Sequence, residues 1–556
     1  MAKKKLLLVI GGVWHPFERC GELVKALTEG TGRYSLEVTT DRNALKAASL
    51  SRFDAVLVYA SGGELTKEQE KGLTGFVKSG GAFVGLHCAA TCWPKSAVYV
   101  DLLGGTFASH GPAMEFPVHL TNLDSRLRGK DGHGDSMITN RIQDFQITDE
   151  LYLLDRFDAG AVDVLATAMW RGKARPLAYT KRYGQGKVYY LALGHDERAL
   201  THPAFQKLLL RGIDWTLGRT ERKPLKAGVI GYGASFKMGR HHLESLRDAA
   251  KFEPVAVCDR VAERRREAEA EFPGIKTYAS VNQMLDKSGA ELIVVITEHF
   301  THAPLAIQCL NAGRHVITEK PFCIAVKEAD AMIGAARKNK RMLSVFHNRR
   351  WDGDYMAIKD VMARGLLGDV FQIEACMGGY GHPGFWWRSD KRISGGAFFD
   401  WGAHVVDWVL GLVPAKITEI AGHLQLKRVW HDVTNEDHCQ AVVRFANGCS
   451  AAIELSHLAA IGKPRWRILG TQGALLDRDN GKFQAVSYKE GIRLDSEVAY
   501  LKSDWHAYYR NMADHLLLDE PLAVTPESAR RVIAVIETAE KSTRAGKALR
   551  PPTHCA

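Results

Sequence analysis

Nothing in these 556 residues approaches the run of about 20 apolar residues that a membrane-spanning helix needs, so no membrane partner is expected. Cysteine is sparse. The ten cysteines are scattered, and the close pair Cys88 and Cys92 has no second pair with which to complete a zinc tetrad. That usage points to a reduced, cytoplasmic protein. The opening Met1-Ala-Lys-Lys-Lys5 is basic, but only about five apolar residues follow, short of a secretory h-region, and they read as a first buried strand. An excess of one charge is also missing: 74 Lys and Arg face 63 Asp and Glu, for a net charge of +11. Basic runs occur only at Lys3–Lys5 and around Arg219–Lys226, too little for a nucleic-acid footprint, so no nucleic-acid partner is expected. Steering of an anionic cofactor or substrate is a better use of that excess. There are no internal repeats and no low-complexity tracts.

What is present is enough apolar sequence for two or three domains, because single cores stop growing near ~250–300 residues. Two α/β units stand in series, each opening with an apolar strand that runs into glycine: Lys5-Leu-Leu-Leu-Val-Ile-Gly-Gly12 and Lys226-Ala-Gly-Val-Ile-Gly-Tyr-Gly233. The polar stretch Leu217–Pro224 between them reads as a linker. In the first unit, 54–59, 82–86 and 187–192 read as buried strands, with helices at 66–79 and 203–217, a doubly wound pattern. In the second, strands are expected at 227–230, 254–258, 292–296 and 315–317. From about Val370 strands follow one another directly (370–377, 416–426, 439–445, 450–456), which predicts an α+β domain with a mainly antiparallel sheet, closed by a helix over 526–545. The expected domains are 1–218, 225–345 and 346–556.

Strand, Gly231-Tyr-Gly233, then helix is the setting of a dinucleotide fingerprint. Glycine lets the backbone approach the pyrophosphate, and the helix N-terminus meets its charge. The third glycine is displaced from the usual position, Phe236, to Gly239, so the loop is longer than standard. Asp259 closes the next strand, where a carboxylate can accept hydrogen bonds from a ribose 2′-hydroxyl and favours NAD. Adjacent Arg260 can contact a 2′-phosphate and leaves NADP open. A tight βα turn is the alternative to a cofactor site.

Further along, Val294-Val-Ile-Thr-Glu-His-Phe-Thr-His302 precedes Ala312-Gly-Arg-His-Val-Ile-Thr-Glu-Lys-Pro321. Together with Val345-Phe-His-Asn-Arg-Arg350 and Gly395-Gly-Ala-Phe-Phe-Asp-Trp-Gly-Ala-His404, these segments resemble the glucose–fructose oxidoreductase/inositol dehydrogenase/MocA family, in order, over about Lys226–Ala545. The resemblance implies a Rossmann domain holding NAD or NADP through the glycine turn, Asp259, Thr297, His302, Glu319 and Lys320. It also implies a catalytic set of Lys320, Asp400 and His404, and a homo-oligomer formed through the C-terminal sheet.

Hydride transfer from an alcohol needs a base for the hydroxyl proton and a group that steadies the developing oxyanion. Asp400 and His404 are four residues apart and would share a helix face. Lys320 follows a buried strand, at the carboxyl edge where α/β sheets bind ligands. Either lysine or histidine can be the base. Singly, each has an ordinary explanation: a surface lysine, a helix N-cap at Asp400, a core histidine. Trp386, Trp387 and Arg388 follow the glycine-rich 378–384 and offer a sugar a stacking face with directional donors, or else pack a domain seam. Arg350 and Asn348 are further candidates for that pocket.

Residues 5–217 resemble the trehalose-utilisation (ThuA-like) family, whose fold is akin to class I glutamine amidotransferases. The matching pieces are Gly11–His15, Val84–Ala89, Leu103–His110, Asp149–Tyr152 and Tyr189–Asp196. An amidotransferase puts its nucleophilic cysteine in the middle of Gly-x-Cys-x-Gly. Here His87 holds that place and the cysteine is Cys88, which argues against that activity. His15, His87, His110 and His195 follow strands or lie in loops. If they converge, they can bind a divalent metal or polarise a sugar carbonyl, although no metal-type spacing links them and separate partners are the alternative.

The expectation is an NAD(P)-dependent oxidoreductase acting on a hydroxyl carbon of a sugar, glycoside or cyclitol, fused to a carbohydrate-processing ThuA-like domain. Two alternatives stay open. One is a redox-assisted glycosidase working through a keto-sugar, consistent with the lack of paired hydrolase carboxylates. The other is a sugar or nucleotide sensor without turnover.

Overall fold

Leu6–Ile10 is apolar at every position, a pattern that suits a strand covered on both faces. In the computed structural model all five residues are buried, in the strand β1 (Lys4–Gly11). The structure describes residues 3–121, 137–139, 142–219, 223–233, 236–249, 251–518 and 520–552. Residues 220–222 of the expected linker lie outside that set. The chain forms two compact units, Met1–Arg222 and Lys223–Ala556. Among the described residues no helix is long and apolar enough to cross a membrane.

In the first unit, β2 (Tyr34–Thr39), β3 (Ala55–Ala60), β4 (Ala82–Leu86), β5 (Thr106–His110), β6 (Met114–Leu120), β7 (Phe145–Asp149), β8 (Tyr152–Asp155), β9 (Asp163–Trp170), β10 (Lys173–Tyr183) and β11 (Gly186–Leu191) follow β1. The nine-stranded sheet runs β2-β1-β3-β4-β11-β10-β9-β6-β7, with β5 and β8 paired apart. The half from β2 to β11 is parallel, as the buried runs of β1, β3, β4 and β11 predict; the partly exposed β2 carries no such run. Beyond β11 every neighbour is antiparallel, so the doubly wound reading covers only part of this sheet. Strands such as β6, with its exposed-buried alternation, carry a weaker apolar signal than a continuous run. The helix at Lys67–Lys78 is closed at its start by a capping box between Thr66 and Gln69.

In the second unit, β12 (Leu225–Ile230), β13 (Phe252–Cys258), β14 (Lys276–Tyr278), β15 (Leu292–Val295), β16 (His315–Thr318) and β17 (Leu343–Val345) form a parallel sheet, ordered β14-β13-β12-β15-β16-β17. An eight-stranded sheet follows. It contains β18 (Val370–Gly378), β19 (Ile417–Leu426), β20 (Glu436–Phe445), β21 (Ser450–Ser456), β22 (Trp466–Gly470), β23 (Gly473–Asp477), β24 (Lys482–Lys489) and β25 (Ile492–Ala499). Its order is β19-β20-β21-β18-β22-β23-β24-β25, antiparallel except for the β18–β21 pair. The helix Pro526–Ala545 lies against β19 so closely that a Cβ on Gly422 would stand 2.0 Å from the Ala539 carbonyl oxygen. Both parallel sheets reverse strand order beside their first strand, β1 against β3 and β12 against β15. Open α/β sheets place ligands at the carboxyl ends of such a reversal.

Candidate active site

A cleft of about 1120 Å³ opens at the carboxyl edge of the β12–β17 sheet and is walled on its other side by residues 386–404. That exceeds the roughly 300–1,000 Å³ of ordinary small-molecule pockets, as suits a dinucleotide with a substrate beside it.

The cofactor half is built from turns. Gly231 (φ 91°) and Gly233 (φ 72°) take left-handed backbone conformations after β12 and line the cleft. A Cβ on Gly231 would reach within 2.0 Å of the Ile296 carbonyl oxygen. Gly239 does not line the cleft. It sits in the helix Met238–Asp248, where a Cβ would stand 2.4 Å from the Tyr232 carbonyl oxygen, so it lets the helix pack on the glycine turn. No side chain caps that helix, and in its first turn the Gly239 N–H donates to the Tyr232 carbonyl oxygen at 3.2 Å. The Asp259 carboxylate accepts the backbone N–H groups of Tyr232 and Val261, both at 2.9 Å, and lines the cleft with Arg260 and Arg264. Thr297 also lines it and shares a 2.6 Å hydroxyl–hydroxyl bond with Thr301. His302 does not: it is fully buried, with its ring nitrogens 2.8 and 3.1 Å from the carbonyl oxygens of Pro321 and Thr297, and it fixes the strand ends from behind. Glu319 is held by His242 (2.9 Å) and by the Lys320 backbone N–H (2.8 Å).

The reacting half centres on Asp400. The Lys320 ammonium donates to Asp400 Oδ1 at 2.7 Å, and the Arg388 guanidinium pairs with Oδ2. Burial alone would raise the Asp400 pKa, but Lys320, Arg388 and His299 outweigh it and hold the carboxyl well below its usual range. His404 is buried, lines the cleft and has Nδ1 without a hydrogen-bond partner. Its pKa falls well below the ordinary value, first through burial and then through Lys320, His347 and Arg349, so it is a neutral imidazole at neutral pH. Asp400 is not an N-cap. It ends a short helix, Ala397–Asp400, and Trp401, itself in the right-handed helical region, joins that helix to the helix Gly402–Leu412 that carries His404. Trp386, half exposed, lines the cleft with Trp387 and Arg388, whose guanidinium lies 4.9 Å from the Trp387 ring.

Arg350 is a correction. It does not line the cleft: its Nε donates to Asp407 at 2.8 Å, and further bonds reach Ser528 and the Ala523 carbonyl. Its neighbour Arg349 faces the cleft instead, 5.1 Å from the Trp401 ring, with Asn348 beside it. Both arginines belong to one tight 3-10 turn, Asn348–Trp351, where adjacent residues point about a third of a turn apart. Sequence alone does not say which one points inward. Trp401 and His299 were also missed. His299 lies in the cleft wall with its pKa pushed down to about 3, chiefly by burial.

In the first unit, His15, His87 and His195 come together after β1, β4 and β11. His110 ends β5 and lies at one remove, 3.6 Å from Glu150. Cys88 is fully buried, and burial pushes its thiol well above the ordinary value, as an inert core cysteine requires.

Residues 5–216 match the trehalose utilisation family (ThuA). Residues 225–347 match the oxidoreductase family with an NAD-binding Rossmann fold, and 355–476 match the GFO/IDH/MocA C-terminal domain. Among relatives, the chain is 28% identical to an uncharacterized oxidoreductase of Schizosaccharomyces pombe, over 46% of this chain and 70% of the relative. It is 24% identical to the scyllo-inositol 2-dehydrogenase (NADP(+)) of Bacillus subtilis, over 59% of this chain and 96% of that protein. Among solved structures, an NAD-binding protein from Listeria innocua superposes with a TM-score of 0.54 at 27% identity, covering 59% of this chain and 97% of that one. The chain is an NAD(P)-dependent oxidoreductase of the glucose–fructose oxidoreductase/inositol dehydrogenase/MocA family, preceded by a ThuA domain.

Proposed function

We propose that the second unit oxidises a secondary hydroxyl of a sugar, glycoside or cyclitol, passing hydride to NAD(P). The observation that supports this best is the set Lys320–Asp400–His404 in the wall of the cleft that holds the glycine turn. NAD(P) bound there would lie along Gly231, Gly233, Asp259 and Thr297 and supplies the hydride acceptor. His404, neutral and with an unpartnered nitrogen, accepts the hydroxyl proton. Lys320 donates to the oxygen that becomes the carbonyl, and Asp400 holds Lys320 and Arg388 in place. Trp386 and Arg388 contact the ring and its hydroxyls. The cyclitol chemistry named for the Bacillus subtilis relative fits this pocket class.

The test follows absorbance at the NADH band while the full chain and NAD or NADP meet a panel of sugars, cyclitols and glycosides, with sugar products followed in parallel. A reduced cofactor appearing with a keto-product supports the reading. Glycoside cleavage with no reduced cofactor would replace it by the internally recycling glycosidase, a reading favoured by one observation, the histidines gathered in the fused ThuA unit. Cofactor binding without turnover across the whole panel would leave the sensor reading instead.

A further inference from the structure

Three imidazoles from loops far apart in sequence meet at the carboxyl edge of the first unit's parallel strands. One ring nitrogen each from His15, His87 and His195 lies within 4.8 Å of the others. His15 Nδ1, His87 Nε2 and His195 Nδ1 are all buried without a hydrogen-bond partner. A buried polar atom left unpaired costs about 1–3 kcal/mol, so three in one spot call for an occupant. Glu150 adds a carboxylate: Oε2 lies 3.1 Å from His195 Nδ1 and 3.7 Å from His87 Nε2.

The surroundings decide what kind of occupant fits. His87 Nδ1 stands 2.6 Å from the Ala192 carbonyl oxygen, an acceptor only, so Nδ1 carries the proton and Nε2 presents a lone pair to the cluster. That carbonyl–imidazole pairing is what orients metal-ligating histidines. His87 also sits in the left-handed region (φ 38°) directly after β4, a conformation a non-glycine residue keeps only where its surroundings hold it. The 194–195 loop is pinned as firmly. Asp149 accepts the N–H groups of Gly194 (2.7 Å) and His195 (3.0 Å), and the Tyr59 hydroxyl donates to their carbonyls. Tyr152 packs its ring 4.0 Å from that of His87. These are lone pairs held in place, beside one carboxylate.

We propose that the first unit binds a divalent first-row transition ion, Zn²⁺ or a close equivalent, through His15, His87 and His195 with Glu150 alongside. Nitrogen donors in this number suit such an ion rather than Ca²⁺ or Mg²⁺, which take oxygen. The rings close by some tenths of an ångström to reach the ~2.0–2.1 Å bonds of a zinc–imidazole set. The coordination positions left over take water or an oxygen-bearing ligand. The proposal stands on the first unit alone and does not depend on the oxidoreductase reading.

The test uses the full chain, stripped with a chelator and dialysed. Zn²⁺ is titrated by calorimetry, and Co²⁺ by its visible absorption, which reports coordination geometry. The expected result is about one equivalent per chain, with Co²⁺ bands of a four- or five-coordinate site. His15→Gln and His195→Gln should each weaken binding by on the order of 100-fold and abolish those bands, while His110→Gln, one step removed, costs about 10-fold. NADH fluorescence titration and far-UV circular dichroism on the same variants show that the second unit and the fold are intact. The absence of a stoichiometric site in the wild-type chain overturns the proposal. So does unchanged binding in both His15→Gln and His195→Gln.

Discussion

The carboxyl edges of the two parallel sheets are furnished in opposite ways. In the second unit every strong charge at the centre is answered: Asp400 lies between Lys320 and Arg388, and Glu319 is met by His242. In the first unit three imidazoles crowd together, each with one ring nitrogen that has no hydrogen-bond partner, beside the Glu150 carboxylate. In a compensated site the ion pairs are formed before any ligand arrives beside the cofactor and need little reorganisation. An uncompensated set of nitrogens is set for a cation. Similar sheet topology thus carries two chemistries, and the loops after the strands decide which.

The sharpest way to break this comparison is to unbalance the compensated site. Lys320→Ala should lower kcat by about 10³-fold, within the 10²–10⁴ range of positioned proton-transfer groups, and leave the NADH dissociation constant within about threefold. Steady-state kinetics with fluorescence titration check both halves. An unchanged kcat would remove Lys320 from the chemistry.

Next in size is the pair behind the site. Arg350→Ala strands the buried Asp407 carboxylate and should cost roughly 3–5 kcal/mol. The loss should appear in the unfolding transition of the second unit. Arg349→Ala, at the cleft wall, should instead raise KM with a smaller change in that transition.

A third effect is pH dependence of stability. His299 has a folded-state pKa of about 3 against 6.5 when unfolded, so the unfolded chain binds the extra proton between those values. Its contribution is fully present above pH 6.5 and is lost as pH falls, by up to about 1.4 kcal/mol per pH unit. Urea midpoints of the second unit measured from pH 7 down to 5 should fall, and His299→Gln should flatten that slope. Asp400, depressed below the usual carboxylate range, adds a loss that begins only below about pH 4.

The smallest effect is expected at Cys88. Cys88→Ala should leave every activity of the chain unchanged, and iodoacetamide should not label the native thiol, because burial keeps it protonated. Rapid labelling would reopen the amidotransferase comparison for the first unit.

Much of this was legible before any coordinates. Continuous apolar runs gave most of the parallel strands because a strand buried on both faces has no other way to be written, but the partly exposed β2 and β14 and the three-residue β17 were missed. The half-exposed β22–β25 and β6–β10 were missed because one covered face leaves a weaker signal, and several of their residues are outward and polar. Glycine at 231 and 233 was readable because only glycine takes those angles freely, whereas the role of Gly239 depends on which backbone lies 2.4 Å away.

The sequence by itself determined the succession of the α/β units and the later antiparallel domain, the family of the oxidoreductase half, and the residue types at 320, 400 and 404. Those follow from local periodicity and from motifs that run unbroken along the chain. Only the tertiary structure decided that Arg349 rather than Arg350 faces the cleft, that Asp400 is shared by two cations, and that His15, His87 and His195 meet. Those are distances between loops at the ends of different strands. They are set by strand order and register across a sheet, which no window of neighbouring residues encodes.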